Sequence, residues 1–222
     1  MTQSDRKVHR TDWVGWHTDY QDPASDLSWR RRSVQNSIRR WLDEATAGPP
    51  RVVSACSGDG RDLLEVLSTD RAGPRVRARL LELDDALACR SEDFAREHNL
   101  DGIEVVRADA GHTDSYAGAV PADLVLLCGV FGNLTDAGVM ATVRVARQLC
   151  ARGATVIWTR GRFTDRDAGE PTDAIRAWFE AAGFELVTLD APDERTYRVG
   201  VHRFVGTPEP LEPGRRFFTF TR

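Results

Sequence analysis

The chain has 222 residues, 41% hydrophobic and 29% charged, which excludes a disordered or low-complexity polymer and fits one large globular domain. A net charge of −4 argues against a broad nucleic-acid footprint, and no apolar run approaches the roughly 20 residues that a membrane-spanning helix needs. Cys56, Cys89, Cys128 and Cys150 show no C-x-x-C spacing, so neither a metal site nor a disulfide framework is expected; the polar start MTQSDRKVHR has no signal-type apolar segment, so a cytoplasmic location is expected.

In chain order, residues 1–24 carry Trp13, Trp16, His17 and Tyr20 ahead of Pro23. Aromatics placed before the main fold suit a lid over a site or a staple packed on the surface, and both stay open. A helix is expected over 26–44 with Ser25 as N-cap, its apolar face built from Leu27, Val34, Ile38, Trp41 and Leu42. Arg30, Arg31, Arg32, Arg39 and Arg40 fill the other faces. Lys7 is the only lysine among 30 basic residues, which a GC-rich genome explains better than anion recognition does. Gly48-Pro49-Pro50 ends the helical segment.

Residues 51–67, RVVSACSGDGRDLLEVL, organise the rest of the chain. Val52 and Val53 read as a buried strand, residues 55–60 as a small-residue turn, and Leu63, Leu64 and Leu67 as the apolar face of a helix. Such a turn leaves backbone N–H groups pointing outward with the positive end of the helix dipole behind them. It suits an anionic group or a close-fitting cofactor. The dinucleotide pattern G-x-G-x-x-G is incomplete, because Leu63 stands where its third glycine belongs, and the P-loop lysine is missing. A purely structural turn, with glycines for close packing, is the competing explanation.

A second strand is expected over 76–83, running into a helix that lasts to about Asn99. Glu82 lies 22 residues after Gly60, at a strand tip where one carboxylate can hold a ribose diol. Residues 103–107 form a third strand, followed by Asp109 and Ala110; residues 122–127 form a fourth, apolar and so central. Thr135 caps a helix running through Cys150. A fifth strand (154–158) and a helix over 171–182 follow, the helix with Ile175, Trp178, Phe179 and Ala182 inward and Gly183 at its end. Segments 184–189, 197–205 and 216–220 read as strands, either of the last two being the inserted one.

Five marks fall in order: the 54–60 turn, Glu82, Asp109, the 123–133 segment and the all-strand tail. Together they resemble the class I S-adenosylmethionine (SAM)-dependent methyltransferases over about residues 50–222. In that family's motif I an acidic residue precedes three alternating glycines. Here Ser54 occupies the acidic position and Cys56 the first glycine, two departures from the pattern. The resemblance implies a Rossmann-like, doubly wound α/β fold, with a mostly parallel seven-stranded sheet, C-terminal antiparallel strands and an N-terminal helical extension. Residues 1–48 would be a strap and helix capping the SAM-binding part, 49–222.

The cofactor implied is SAM, with S-adenosylhomocysteine as product. Its contacts would be Ala55, Cys56, Ser57, Gly58 and Gly60 on the methionine part, Glu82 at the ribose, Asp109 at the adenine amine, and Cys128, Gly129 and Val130 at the rim, with Leu83 and Ala110 as further contacts. The stretch Leu27-Ser28-Trp29-Arg30 with Val34-Gln35 looks like the lead-in of a bacterial small-molecule methyltransferase subgroup, which makes Arg30 a candidate for the methionine carboxylate. The acceptor would be a small molecule, with His17, Tyr20, Asn133, Arg160 and His202 as candidates on its side; a lone strand histidine such as His202 is more often structural. An NAD-linked Rossmann oxidoreductase and a catalytically silent SAM-binding module are the alternatives. The attacking atom and the oligomeric state are left open.

Overall fold

The computed structural model describes residues 22–44, 48–161 and 171–221. The first helix, α1 (Asp26–Glu44), starts as its cap residue dictates: Ser25 Oγ accepts the Ser28 N–H at 3.1 Å. All five residues expected on its apolar face are buried, each contributing about 1.5–3 kcal/mol. Then follow β1 (Arg51–Ala55), α2 (Arg61–Leu67), β2 (Arg77–Leu81), α3 (Asp85–Glu97), β3 (Ile103–Val106) and β4 (Ala122–Leu127). The second half holds α4 (Asp136–Leu149), β5 (Cys150–Gly161), α5 (Pro171–Ala181), β6 (Phe184–Asp190) and β7 (Tyr197–Phe204).

The seven strands form one sheet in the order β3-β2-β1-β4-β5-β7-β6, parallel except for β7, which runs antiparallel to both its neighbours. The winding reverses between β1 and β4, and a doubly wound sheet opens a crevice at the carboxyl ends of its strands at that point. Two apolar layers enclose the sheet. Val52, Leu126, Ile157 and Val201 pack with α1 and α2 through Ile38, Trp41, Leu63 and Leu64. Val53, Val125, Trp158 and Phe204 pack with α4 and α5 through Val139, Val143, Ile175 and Phe179. Adjacent residues such as Val52 and Val53 are both buried because each faces a different layer.

Four expectations change. β2 ends at Leu81, so Glu82 and Leu83 leave the sheet. Cys150 opens β5 instead of closing α4, because its extended backbone pairs with Ala122 of β4. Trp178 is half-buried, unlike Ile175 and Phe179. Residues 216–220 are not a strand: Arg216 makes a single bridge to His112, and the inserted strand is Tyr197–Phe204. Trp13, Trp16, His17 and Tyr20 lie outside the described residues. No helix among the described residues is long and apolar enough to cross a membrane.

Candidate functional site at the carboxyl edge

The turn after β1 takes an alternating left-handed path: Cys56 has φ 51°, Gly58 60° and Gly60 71°. Glycine adopts this region freely, whereas a side chain there costs about 1–2 kcal/mol. Gly60 is also fixed by packing, since an added Cβ would lie 2.6 Å from Leu64 Cδ1 and 2.9 Å from Leu80 Cδ2. Cys56, the departure at the first glycine, therefore takes a left-handed conformation with a side chain attached. Its half-buried thiol is held protonated first by burial and then by the charges of Glu82 and Asp109.

Glu82, just past β2, is more occupied than its sequence position suggests. Its Oε2 accepts the Gly58 N–H at 2.7 Å, and its Oε1 accepts the N–H groups of Leu83 and Asp84, both at 2.9 Å. Three of about four acceptor sites are therefore taken by backbone, and one remains for a ligand. The carboxylate locks the β1 turn to the β2 tip before any ligand arrives. A clasp on both hydroxyls of a diol requires one of those bonds to give way. Leu83 beside it is 66% exposed, an apolar side chain that the protein leaves uncovered. Asp84 caps α3 by accepting from Ala86 and Leu87, so the neighbouring acid has the helix-capping role and Glu82 does not.

Asp109 accepts the Gly111 N–H through Oδ1 (2.8 Å) and a bond from Arg216 Nη1 through Oδ2 (2.6 Å). Each oxygen keeps a lone pair. The next residue, Ala110, is buried, and its carbonyl accepts the Tyr116 hydroxyl at 2.8 Å. After β4, Gly129 is left-handed (φ 76°) and donates its N–H to Thr159 Oγ1 at 2.9 Å. Val130 is wholly buried, backbone included, so it presents no surface to a ligand and the rim contact expected of it is not available. Asn133 donates through Nδ2 to Gly129 O at 2.8 Å, tying the two ends of this turn.

Ser54, at the motif's acidic position, is buried in β1 and brings no charge to the turn. Charge there comes from Asp59, paired with Arg61, and Asp62, paired with Arg30. Arg30 reaches Asp62 through both terminal nitrogens, at 3.1 and 2.7 Å, and is buried. The fork that a methionine carboxylate would need is thus already bound by a residue of the chain. The same guanidinium reaches the buried Cys128, whose thiol burial and the Asp62 charge push up to about 12.

The acceptor-side candidates separate. Asn133 lies on the carboxyl edge. Arg160 sits near the end of β5 but is buried, opposite Arg198 of β7 and 3.4 Å from Asp136. His202 is corrected: it sits opposite Val156 in mid-sheet, 1% exposed, stacked on Phe179 at 4.2 Å and accepting from Trp158 Nε1 at 3.0 Å. No acceptor can reach it there. Sequence reasoning missed the Arg30–Asp62 pair, Thr159 and Arg216, all of which act across large sequence separations without a local motif.

No family model matches the chain, and no curated protein matches it. Solved structures do. The magnesium protoporphyrin IX methyltransferase from Synechocystis PCC 6803, with bound SAM, aligns over 87% of this chain and 91% of its own at 13% identity, with a TM-score of 0.66. An O-methyltransferase family protein from Burkholderia thailandensis aligns over 86% and 63% at 16% identity, with a TM-score of 0.56. The [4+2]-cyclase SpnF aligns over 82% of both chains at 13% identity, with a TM-score of 0.59. At such identities the likeness concerns the fold, and the chain has the fold of the class I SAM-dependent methyltransferases.

Proposed function

We propose that the chain binds S-adenosylmethionine across the carboxyl ends of β2, β1 and β4 and transfers its methyl group to a small-molecule acceptor. The observation that carries this is the pair of partly exposed carboxylates past the ends of the adjacent strands β2 and β3, Glu82 holding the β1 turn through Gly58 and Asp109 holding Gly111, with Leu83 exposed alongside. The residues present fit the cofactor. Glycines at 58 and 60 remove side chains from the turn, Leu83 offers an apolar face, and both carboxylates retain acceptor sites. An NAD-linked reaction fits less well, since β7 interrupts the parallel series and Leu63 replaces the third glycine.

In this reading the backbone of residues 55–60 packs on the methionine part. Glu82 accepts a bond from a ribose hydroxyl at its remaining site, Asp109 accepts one from the adenine amine, and Leu83 offers an apolar face beside them. The backbone at Cys128 and Gly129 forms the rim. The Arg30–Asp62 pair braces α1 against the turn, so Arg30 acts through Asp62. When bound, SAM supplies a methyl group already activated on a sulfonium. The chain then mainly has to align the acceptor and exclude water, and Asn133 is the described residue best placed to orient it.

Because one similar structure is a [4+2]-cyclase, fold alone does not fix the reaction, and binding is measured apart from transfer. Calorimetry should show saturable S-adenosylhomocysteine binding that Glu82→Ala weakens by about 1.5–3 kcal/mol, the worth of a hydrogen bond to a charged group. Tritiated methyl transfer from SAM into a metabolite pool should then label a small molecule. A chain that binds without labelling anything is a silent module. One that ignores S-adenosylhomocysteine but quenches NADH fluorescence saturably is a dinucleotide protein.

A further inference from the structure

We propose that the C-terminal segment 206–221 is a strap that sets selectivity for adenine, with Arg216 as the positioning residue for Asp109; this rests on the cofactor reading above. The strap starts at the amino edge of the sheet, where Gly206 donates to Gly183 O, and passes the end of α4, where Glu212 N–H bonds Gln148 Oε1 at 3.0 Å. It then runs along the turn that follows β3. Gly214 N–H bonds Asp114 (2.7 Å), Arg215 N–H bonds Thr113 Oγ1 (3.0 Å), Thr113 N–H bonds Arg215 O (2.8 Å) and Phe217 N–H bonds Gly111 O (2.9 Å). It ends on the turn after β4, with Thr221 N–H on Asn133 O at 2.9 Å. One segment therefore ties together the two turns that flank the proposed adenine site.

The strap is anchored before it reaches Asp109. Phe217 and Phe218 are buried, Phe217 packing on Tyr116, whose hydroxyl holds Ala110. The contact is so close that a Cβ on Gly111 would lie 2.4 Å from Phe218 O. On this anchored backbone Arg216 bonds Asp109 Oδ2, while Gly111 N–H holds Oδ1. The carboxylate is thus fixed from two sides with a lone pair left on each oxygen. Arg216 also places a positive charge against Asp109, which follows the strand next to the one that Glu82 follows. Arg216 is half-exposed, and exposed ion pairs contribute little to stability. The pair therefore acts on the orientation and charge of Asp109.

A fixed, ionised acceptor distinguishes bases. The exocyclic amine of adenine donates to it, whereas the oxygen at the same place in hypoxanthine is an acceptor and is repelled. The test is calorimetric titration of the full chain with S-adenosylhomocysteine and S-inosylhomocysteine, alongside Arg216→Met and Arg216→Lys. The unaltered chain should prefer the adenine ligand. In Arg216→Met that preference should fall about tenfold, through the adenine ligand alone, with an unchanged denaturation midpoint. Arg216→Lys, which keeps the charge, should restore most of it. Equal weakening for both ligands, or an unmoved preference in Arg216→Met, overturns the positioning role alone. Absence of S-adenosylhomocysteine binding by the unaltered chain overturns this role and the function proposed above.

Discussion

The two halves of the sheet use the same kinds of side chain for opposite purposes. At the tips of β1, β2, β3 and β4, Glu82 and Asp109 are partly exposed, hold loop backbone through their carboxylates and keep acceptor sites in reserve. In the β5–β7 half, His202 and Arg198 are buried, His202 inside an aromatic stack with Trp158 and Phe179. A titratable group at a strand's carboxyl tip can meet a ligand, and the same group in mid-strand meets only the core. Position along the strand, more than residue type, separates chemistry from packing here.

The difference breaks most visibly at Gly200. A Cβ built there would lie 2.2 Å from Trp158 Cε2 and 2.3 Å from Cζ2, inside a layer with no room to move. Gly200→Ala should destabilise the fold by about 3 kcal/mol, the upper range for overpacking a core. Urea denaturation followed by Trp fluorescence measures this. If ligand-tip geometry is independent of the stack, the folded fraction should still bind S-adenosylhomocysteine with near-native affinity. A loss of affinity at full folding would show that the two halves are coupled.

Protonation is the next lever. Burial first, then the Arg176 charge, lowers the His202 pKa from 6.5 to about 4. The Trp158 N–H also occupies Nδ1, so a proton on that nitrogen would break the bond. Between pH 6.5 and 4 the unfolded chain takes up a proton that the folded chain refuses, so stability falls as pH falls through this window. The loss is absent above 6.5, complete below 4, and amounts to about 3 kcal/mol. His202→Gln can still accept from Trp158 and does not titrate. Its stability, measured by urea titration at about pH 7 and about pH 4.5, should decline less with acid than that of the unaltered chain. Equal declines would place the acid sensitivity elsewhere.

What could be read from the sequence was local. Ser25 and Thr135 cap the helices expected of them, and the apolar spacing of α1 names the residues that are buried. The β1 turn and the placing of Glu82 after β2 also follow from short-range pattern. Nothing local links Arg216 to Asp109, 107 positions apart, or Arg30 to Asp62. The tail misleads for the same reason: residues 215–220, RRFFTF, have a strand's composition, yet Phe217 N–H finds Gly111 and the following Thr221 N–H finds Asn133, with no neighbouring strand between. Cys150 reads as helical because no glycine or proline intervenes, and only its pairing with Ala122 makes it strand.

The smallest effect expected falls at Cys56, where the tip half carries its own strain. Replacing it with glycine removes a side chain from a left-handed residue, worth about 1–2 kcal/mol. The same change adds backbone entropy to the unfolded chain, about 0.5–1 kcal/mol, and withdraws a half-buried thiol from its packing. These terms nearly cancel, so Cys56→Gly should shift stability by less than about 1 kcal/mol. Its effect on ligand binding is the informative part. The thiol packs against the buried cluster that holds Ala110 and Tyr116, on the same turn that Glu82 holds through Gly58. If the side chain merely tolerates the motif, S-adenosylhomocysteine affinity stays level or rises in Cys56→Gly. If the thiol helps shape the turn for its ligand, affinity falls while stability does not, and the cysteine at this position of the turn is then functional.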